Sequence, residues 1–309
     1  MKKYLILCFV ILLALFVGFI SLKSNVFIDK ENDIYVIALD DASTDEAKNI
    51  YKSIKEEKKS AVLSRDIVGG NYNFYIASSY KELPHNINKN AINILYIPYF
   101  SNKDSAKILS NFDVVVVKSA KSFGHLKAIN VRTAYIPNAF DINKNKEDTV
   151  SSKIAYIGND EDFSLALYLI KNAKINIDVI GKIKNKNWDE DKIKSKSLKN
   201  SDEYALILID QPEEDIAREI VCDRLLKLVS DGHLPFVRFN QGIYSMFGDA
   251  IPMYYNEEHF KFELNRLINS SNELKARRDS IRKISESWSA GMRAKKIIEL
   301  FDIMRKKRI

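Results

Sequence analysis

Residues 219–243 hold the side chains best suited to chemistry: Glu219, Arg224, Lys227, Asn240 and the glycines Gly232 and Gly242. Val221, Leu225, Leu228 and Val229 fall at helical spacing, which predicts an amphipathic helix. Gly232 stands where a helix C-cap is expected, an apolar strand runs from Leu234 to Phe239, and Gly242 opens a further short helix. In an open α/β sheet such a loop lies at the carboxyl end of a strand, where ligands bind. Helix N-termini there offer free N–H groups and positive dipole charge to a phosphate. The pattern therefore suits an anionic ligand. Plainer roles exist beside this one: Arg224 can pair with Asp223 or Glu219, Gly232 can be a cap only, and Asp223 and Lys227 stand at pairing distance on a helix.

Other reactive side chains are sparse. His125, in Phe123-Gly-His125, is the one candidate catalytic base, and a core or surface role is the alternative. His233 follows the cap glycine and could approach a ligand, whereas His85 and His259 have no suggestive neighbours. Cys8 and Cys222 do not form a disulfide framework, and Cys222 reads as a small buried residue. Neither C-x-x-C nor H-E-x-x-H spacing occurs, so no metal and no cofactor are expected.

The elements that must position these residues alternate between strand and helix, which argues for parallel sheets. Strands are predicted at 33–39, 73–77, 92–97, 113–118 and 131–136. Helices are predicted from the Ser43-Thr-Asp-Glu46 capping box to about Lys59, over 105–110 and over 119–128. Residues 142–152 are polar without apolar periodicity and read as a linker. Beyond it come strand 153–157, helix 162–172, strands 175–180 and 204–209, helix 214–231 and strand 234–239, then a mostly helical segment from Glu258 on. The expected class is α/β with two Rossmann-like domains, 32–141 and 153–287, and a C-terminal helix, 288–309.

The N-terminus is separate. Met1-Lys-Lys precedes Tyr4 to Leu22, a stretch without charge that is long enough to cross a bilayer as a helix. Residues 1–23 read as an uncleaved anchor, because no A-x-A-like cleavage site follows; a cleaved signal peptide is the alternative. The expected protein is single-pass, contacting the membrane through residues 4–22, and the side of its body stays open. The net charge of +7 spreads over many lysines, with a cluster at Arg305 to Arg308 that could meet anionic headgroups or be a solvated surface. No aromatic-interleaved basic motif appears, so nucleic acid is not expected as a partner.

Several runs resemble a known family. Arg224-Leu-Leu-x-Leu-Val-x-x-Gly232-x-Leu-Pro235, then Asn240-x-Gly242-Ile243 and Phe247-Gly248, is similar to the donor-site segment of GT-B glycosyltransferases of group 1, most of all the spore-maturation CgeB-like branch. Tyr135-Ile-Pro-Asn-Ala-Phe-Asp141 resembles the signature closing that family's first domain, where Asn138 and Asp141 would fix the turn. Ile154-Ala-Tyr-Ile-Gly158-Asn159, and Ile177 to Gly181 with Trp188, resemble the first strands of the second. The resemblance implies a hexosyltransferase that takes a nucleotide sugar and modifies a surface glycan, lipid or protein. It assigns donor binding to Gly158, Asn159, Glu219, Arg224, Lys227, Gly232, Asn240, Gly242 and Ile243. Retaining members commonly carry Glu-x7-Glu, and here Glu219 is kept while Lys227 replaces the second acid. Lysine only donates, so it cannot accept from ribose hydroxyls as a carboxylate does. Two other readings therefore stand beside the transferase: a degenerate GT-B protein that binds without catalysis, and an extracytoplasmic Rossmann-like binding protein.

Overall fold

The computed structural model describes residues 33–58, 60–65, 70–79, 83–84, 86–100, 106–141, 153–157, 168–169, 177–180 and 204–308. The anchor segment 4–22, the linker 142–152, Gly158, Asn159, Gly181, Trp188, His85 and most of the expected helix 162–172 lie outside them. Among the described residues no helix is long and apolar enough to cross a membrane.

In chain order the elements are β1 (Ile34–Ala38), α1 (Thr44–Lys58), β2 (Ala61–Ser64), β3 (Tyr72–Ile76), β4 (Ile92–Ile97), α2 (Ala106–Leu109), β5 (Val114–Val117), α3 (Ala120–Ala128) and β6 (Thr133–Tyr135). There follow β7 (Lys153–Ile157), β8 (Asp178–Ile180), β9 (Tyr204–Ile209), α4 (Glu213–Arg218), α5 (Asp223–Ser230), β10 (Pro235–Arg238), α6 (Gln241–Phe247), β11 (Met253–Tyr254), α7 (Glu257–Ile268), α8 (Ser271–Trp288) and α9 (Ala290–Arg308). Among the described residues, those up to Pro98, those of 106–116 and those from Ala294 on form one compact unit. Tyr99, Phe100 and those from Val117 to Arg293 form the other.

The first sheet has the order β2-β1-β3-β4-β5-β6 and the second β11-β10-β9-β7-β8. The pairings β1–β2, β1–β3 and β3–β4, and every pairing of the second sheet, are parallel. In both sheets the first strand of the unit lies between the second and the third, the doubly wound arrangement whose switch point opens a crevice at the carboxyl ends. The runs INILYI of β4, VVVV of β5 and YALILI of β9 are buried throughout, as parallel strands covered on both faces must be. Each such Ile, Leu or Val side chain contributes about 1.5–3 kcal/mol of transfer free energy.

Sequence and structure differ at identifiable points. The edge strands β2 and β11 were not anticipated, because a half-exposed edge strand and a two-residue strand carry little apolar signal. The expected helix 214–231 is two helices, α4 and α5, parted at Glu219. The capping box near Ser43 belongs to Asp40, whose carboxylate accepts from Ser43 N at 2.7 Å; a 3-10 turn at Asp41–Ser43 then leads into α1. The helical tail is three helices, of which α9 buries Ala294, Ile297, Phe301 and Met304. Phe301 meets Tyr72 edge-on with centroids 5.7 Å apart. Of the C-terminal basic cluster, Arg308 is structural: it donates to both oxygens of Asp113 at 2.9 Å and to Asn90 O at 3.0 Å.

Candidate functional site

The candidate site lies wholly in the second unit, where β9 and β10 end. Because these strands are parallel neighbours, the residues after Ile209 and after Arg238 emerge side by side. Gln211 and Asn240 meet there, both buried. Asn240 Nδ2 donates to Gln211 Oε1 at 2.9 Å and to Ile220 O at 3.0 Å, and Gln211 Nε2 donates to Arg238 O at 2.7 Å. Asn240 Oδ1 accepts from Gly242 N at 2.8 Å and caps α6. Two amides thus satisfy donors and acceptors of both loops.

Gly242 is required sterically. A Cβ there would lie 2.2 Å from Glu219 O, a backbone atom with no room to retreat. Glu219 itself is left-handed, φ 55 and ψ 44, a conformation costly for a side-chain-bearing residue. It ends α4, turns the chain and sets Ile220 against Asn240. The carbonyls at the end of α4 are fastened by α3: Ser119 Oγ donates to Arg218 O at 2.5 Å and Lys121 Nζ to Ala217 O at 3.0 Å. The Arg218 guanidinium pairs with Glu214 and lies 4.9 Å from the centroid of the Tyr99 ring.

This turn releases α5 from its N-cap Cys222, which provides no side-chain cap. Arg224 and Lys227 lie exposed on α5, and neither makes an ion pair among the described residues. The Asp223–Lys227 pair that the spacing allows is not formed. Asp223 instead accepts from Asn138 Nδ2 at 2.7 Å, which ties the Pro137–Asp141 segment to the first turn of α5. The same segment is held by Phe140 N donating to Trp288 O at 3.0 Å and by Ala290 N donating to Asp141 Oδ1 at 3.4 Å. Asp215 shares this neighbourhood: burial, and then the charges of Asp223 and Glu214, raise its carboxyl above the usual carboxylate range. Burial also pushes up the Cys222 thiol, in keeping with a small interior residue.

Of the residues singled out by sequence, Glu219, Asn240, Gly242 and Ile243 come together in this corner, with Ile243 fully buried beneath it. Arg224 and Lys227 stand one helix further on. Gly232 and His233 do not join them. Gly232, at φ 80, closes α5, with His233 N donating to Leu228 O at 2.9 Å. His233 is buried just before the amino end of β10, about 16 Å of strand from the carboxyl end, and so lies away from this corner. His125 is exposed on the last turn of α3. Gln211, Asp215, Tyr99 and Ser119 were missed by the sequence reading. Only the strand order could have revealed Gln211, since it makes residues 210–212 and 239–241 neighbours. Among the described residues no cluster of His, Cys, Asp or Glu could hold a metal ion.

No family model matches the chain, and no curated protein sequence matches it. Solved structures match it in fold. A structure of the GtfA/B complex aligns over 76% of this chain and 57% of that one, with TM-score 0.52 and 12% identity. An alpha1,3-fucosyltransferase aligns over 87% of this chain and 88% of its own, with TM-score 0.51 and 12% identity. A point mutant of S. aureus TarM, in complex with fondaparinux, alpha-GlcNAc-glycerol and UDP, aligns over 82% of this chain and 58% of that one, with TM-score 0.50 and 15% identity. This chain therefore spans little more than half the length of two of the three. The likeness shows the fold: α/β, with the two parallel Rossmann-like sheets of the GT-B arrangement.

Proposed function

We propose that a GT-B chain with this corner is a glycosyltransferase, moving a sugar from a nucleotide-sugar donor to a surface glycan, lipid or protein acceptor. The observation that carries the reading is the left-handed break at Glu219, which starts α5 with an uncapped N-terminus and with Arg224 and Lys227 exposed and unpaired among the described residues. Arg224 in the first turn of α5, with Lys227 in its last turn, suits the diphosphate of a donor, since such cations offset the charge that develops as it leaves. UDP in the TarM complex supports a nucleotide as ligand. CgeB-like kinship, hexosyl specificity and single-pass anchoring through residues 4–22 belong to the same proposal, and Gly158 and Asn159 complete its donor site.

The residues also favour a second reading. Lys227 occupies the place of a ribose-binding acid and offers donors only, so a GT-B protein that binds a nucleotide, glycan or partner without transfer fits the same corner.

Thermal unfolding of the full chain with UDP, GDP, TDP, CMP and their sugars tests both. A specific ligand at one hundred times its Kd adds about 2.7 kcal/mol, a rise of several degrees. The transferase reading expects one nucleotide to raise Tm, its sugar to be hydrolysed or transferred, and Arg224→Ala to abolish the shift. A shift without turnover selects the binding reading. No shift with any nucleotide sinks the donor site.

A further inference from the structure

Among the described residues, the exposed large hydrophobic side chains of the second unit are Tyr168 at 47%, Tyr244 at 43%, Tyr255 at 61% and Phe262 at 65% exposure, and the last three gather in one corner. Phe239 and Tyr255 directly follow β10 and β11, Tyr244 is on α6, and His259 and Phe262 are on α7. Since β10 and β11 are parallel, Phe239 and Tyr255 leave the sheet together, and Phe239 N donates to Tyr254 O at 2.8 Å. Ring centroids step across this surface: Tyr244 to Phe239 is 6.3 Å, Phe239 to Tyr255 is 4.8 Å in a stack, and Tyr255 to His259 is 5.1 Å edge-on. Phe262 follows His259 by three residues, the neighbouring place on a helix face.

The fold does not need this outer layer. Beneath it the core is closed by buried Phe236 stacked on Phe260 at 5.4 Å, with Tyr254 edge-on to both. The surrounding charges neutralise each other: Arg238 with Glu213, Lys261 with Glu257, and Arg266 with Glu263 and Glu273. His259 Nε2 faces Glu263 Oε1 at 4.0 Å. A phosphate or an anionic lipid would find no unpaired cation among these. The exposed large hydrophobic side chains of the second unit are all aromatic, so among its described residues it lacks the aliphatic surface that a protein partner would cover. What remains is flat aromatic faces rimmed by uncharged hydrogen-bonding groups, Gln241, Ser245 and the tyrosine hydroxyls. A pyranose matches that chemistry. Its C–H face covers an aromatic ring and its hydroxyls reach the polar rim.

We propose that Tyr244, Phe239, Tyr255, His259 and Phe262 form a platform for a neutral oligosaccharide, whose successive rings lie along the aromatic track. The track adjoins Asn240 and Gly242, so the proposal deepens the transferase reading by naming its acceptor class, and it rests on that reading for that role. The test is saturation-transfer NMR on the full chain with cellotetraose, chitotetraose and maltotetraose, repeated with Tyr255→Ala and Phe262→Ser. The expected result is saturation of the ring protons of at least one tetrasaccharide and about tenfold weaker binding in both variants, as for loss of an aromatic anchor, with Tm unchanged. Phe262→Ser keeps the test decisive should Tyr255→Ala not fold, because the Phe262 side chain stands largely in solvent. The proposal is overturned by no saturation from any of the three, by binding undiminished in the variants, or by a concentration-dependent dimer that the variants dissolve. The nucleotide shift reads the other question separately: sugar binding without it keeps the platform and sinks the donor site.

Discussion

At the carboxyl edge of the first sheet, Asp40 holds two loops with a group that only accepts: Oδ1 takes Ser43 N and Oδ2 takes Ser78 N, each at 2.7 Å. At the matching edge of the second sheet, Asn240 has to donate to Gln211 Oε1 and Ile220 O while accepting from Gly242 N. The two units share a strand order but meet opposite demands there. In the first, the loops present N–H groups, and a carboxylate answers them. In the second, the left-handed turn at Glu219 points carbonyls inward, and only an amide answers both kinds. The Asp40 corner is half-open to water, whereas the Asn240 corner is sealed, so the same chemical error should cost more in the second.

The largest expected effect is steric. Gly242→Ala should cost on the order of 3 kcal/mol in urea unfolding, because its Cβ meets the Glu219 carbonyl. Gly124→Ala, where a Cβ meets nothing within 4 Å inside α3, should be neutral or stabilise by up to about 1 kcal/mol. Equal losses at the two glycines would break the claim that the second edge is the tight one. Next comes Asn240→Asp, which sets a carboxylate against Gln211 Oε1 and the Ile220 carbonyl; about 2–3 kcal/mol of stability should be lost. Asp40→Asn keeps one acceptor and should lose only about 1 kcal/mol. A reversed order of these two would refute the comparison.

The smallest effect concerns Asp215. Its carboxyl is raised in the folded state, so its ionised form opposes folding at neutral pH. That penalty is absent below the unfolded carboxyl range and grows as pH rises toward the folded value, above which it is complete. Asp215→Asn should therefore raise Tm at pH 7, with the gain vanishing as the solution is acidified through the carboxylate range. A gain independent of pH would place its origin elsewhere.

Legibility followed burial. The ends of β4, β7 and β9 agree with the sequence expectation, since a parallel strand buried over most of its length reads as a short, predominantly apolar run. The edge strands β2 and β11 lack such a run. The break between α4 and α5 escaped because left-handed turns announce themselves through glycine or asparagine, and here the residue is a glutamate held by tertiary contacts from α3. Gly242 was legible as a special position, but not the reason for it. Its role depends on a carbonyl far away in sequence. The pairing of Gln211 with Asn240 and of Asn138 with Asp223 needs the parallel strand order and the packing of the Pro137–Asp141 segment, neither of which local periodicity encodes.

The bond from Arg308 to Asp113 has a consequence for biosynthesis. The first unit draws on residues near 34–116 and again on those after Ala294, while the second is built mostly from the stretch between. On a ribosome the early strands β1 to β5 therefore emerge without Phe301 to cover Tyr72 and Phe74, or Arg308 to clasp Asp113. The later-made unit can consolidate while the earlier-made one waits, its apolar face open until translation reaches α9. Order of synthesis and order of completion are thus inverted, and the exposure of the nascent chain to aggregation falls longest on its oldest part.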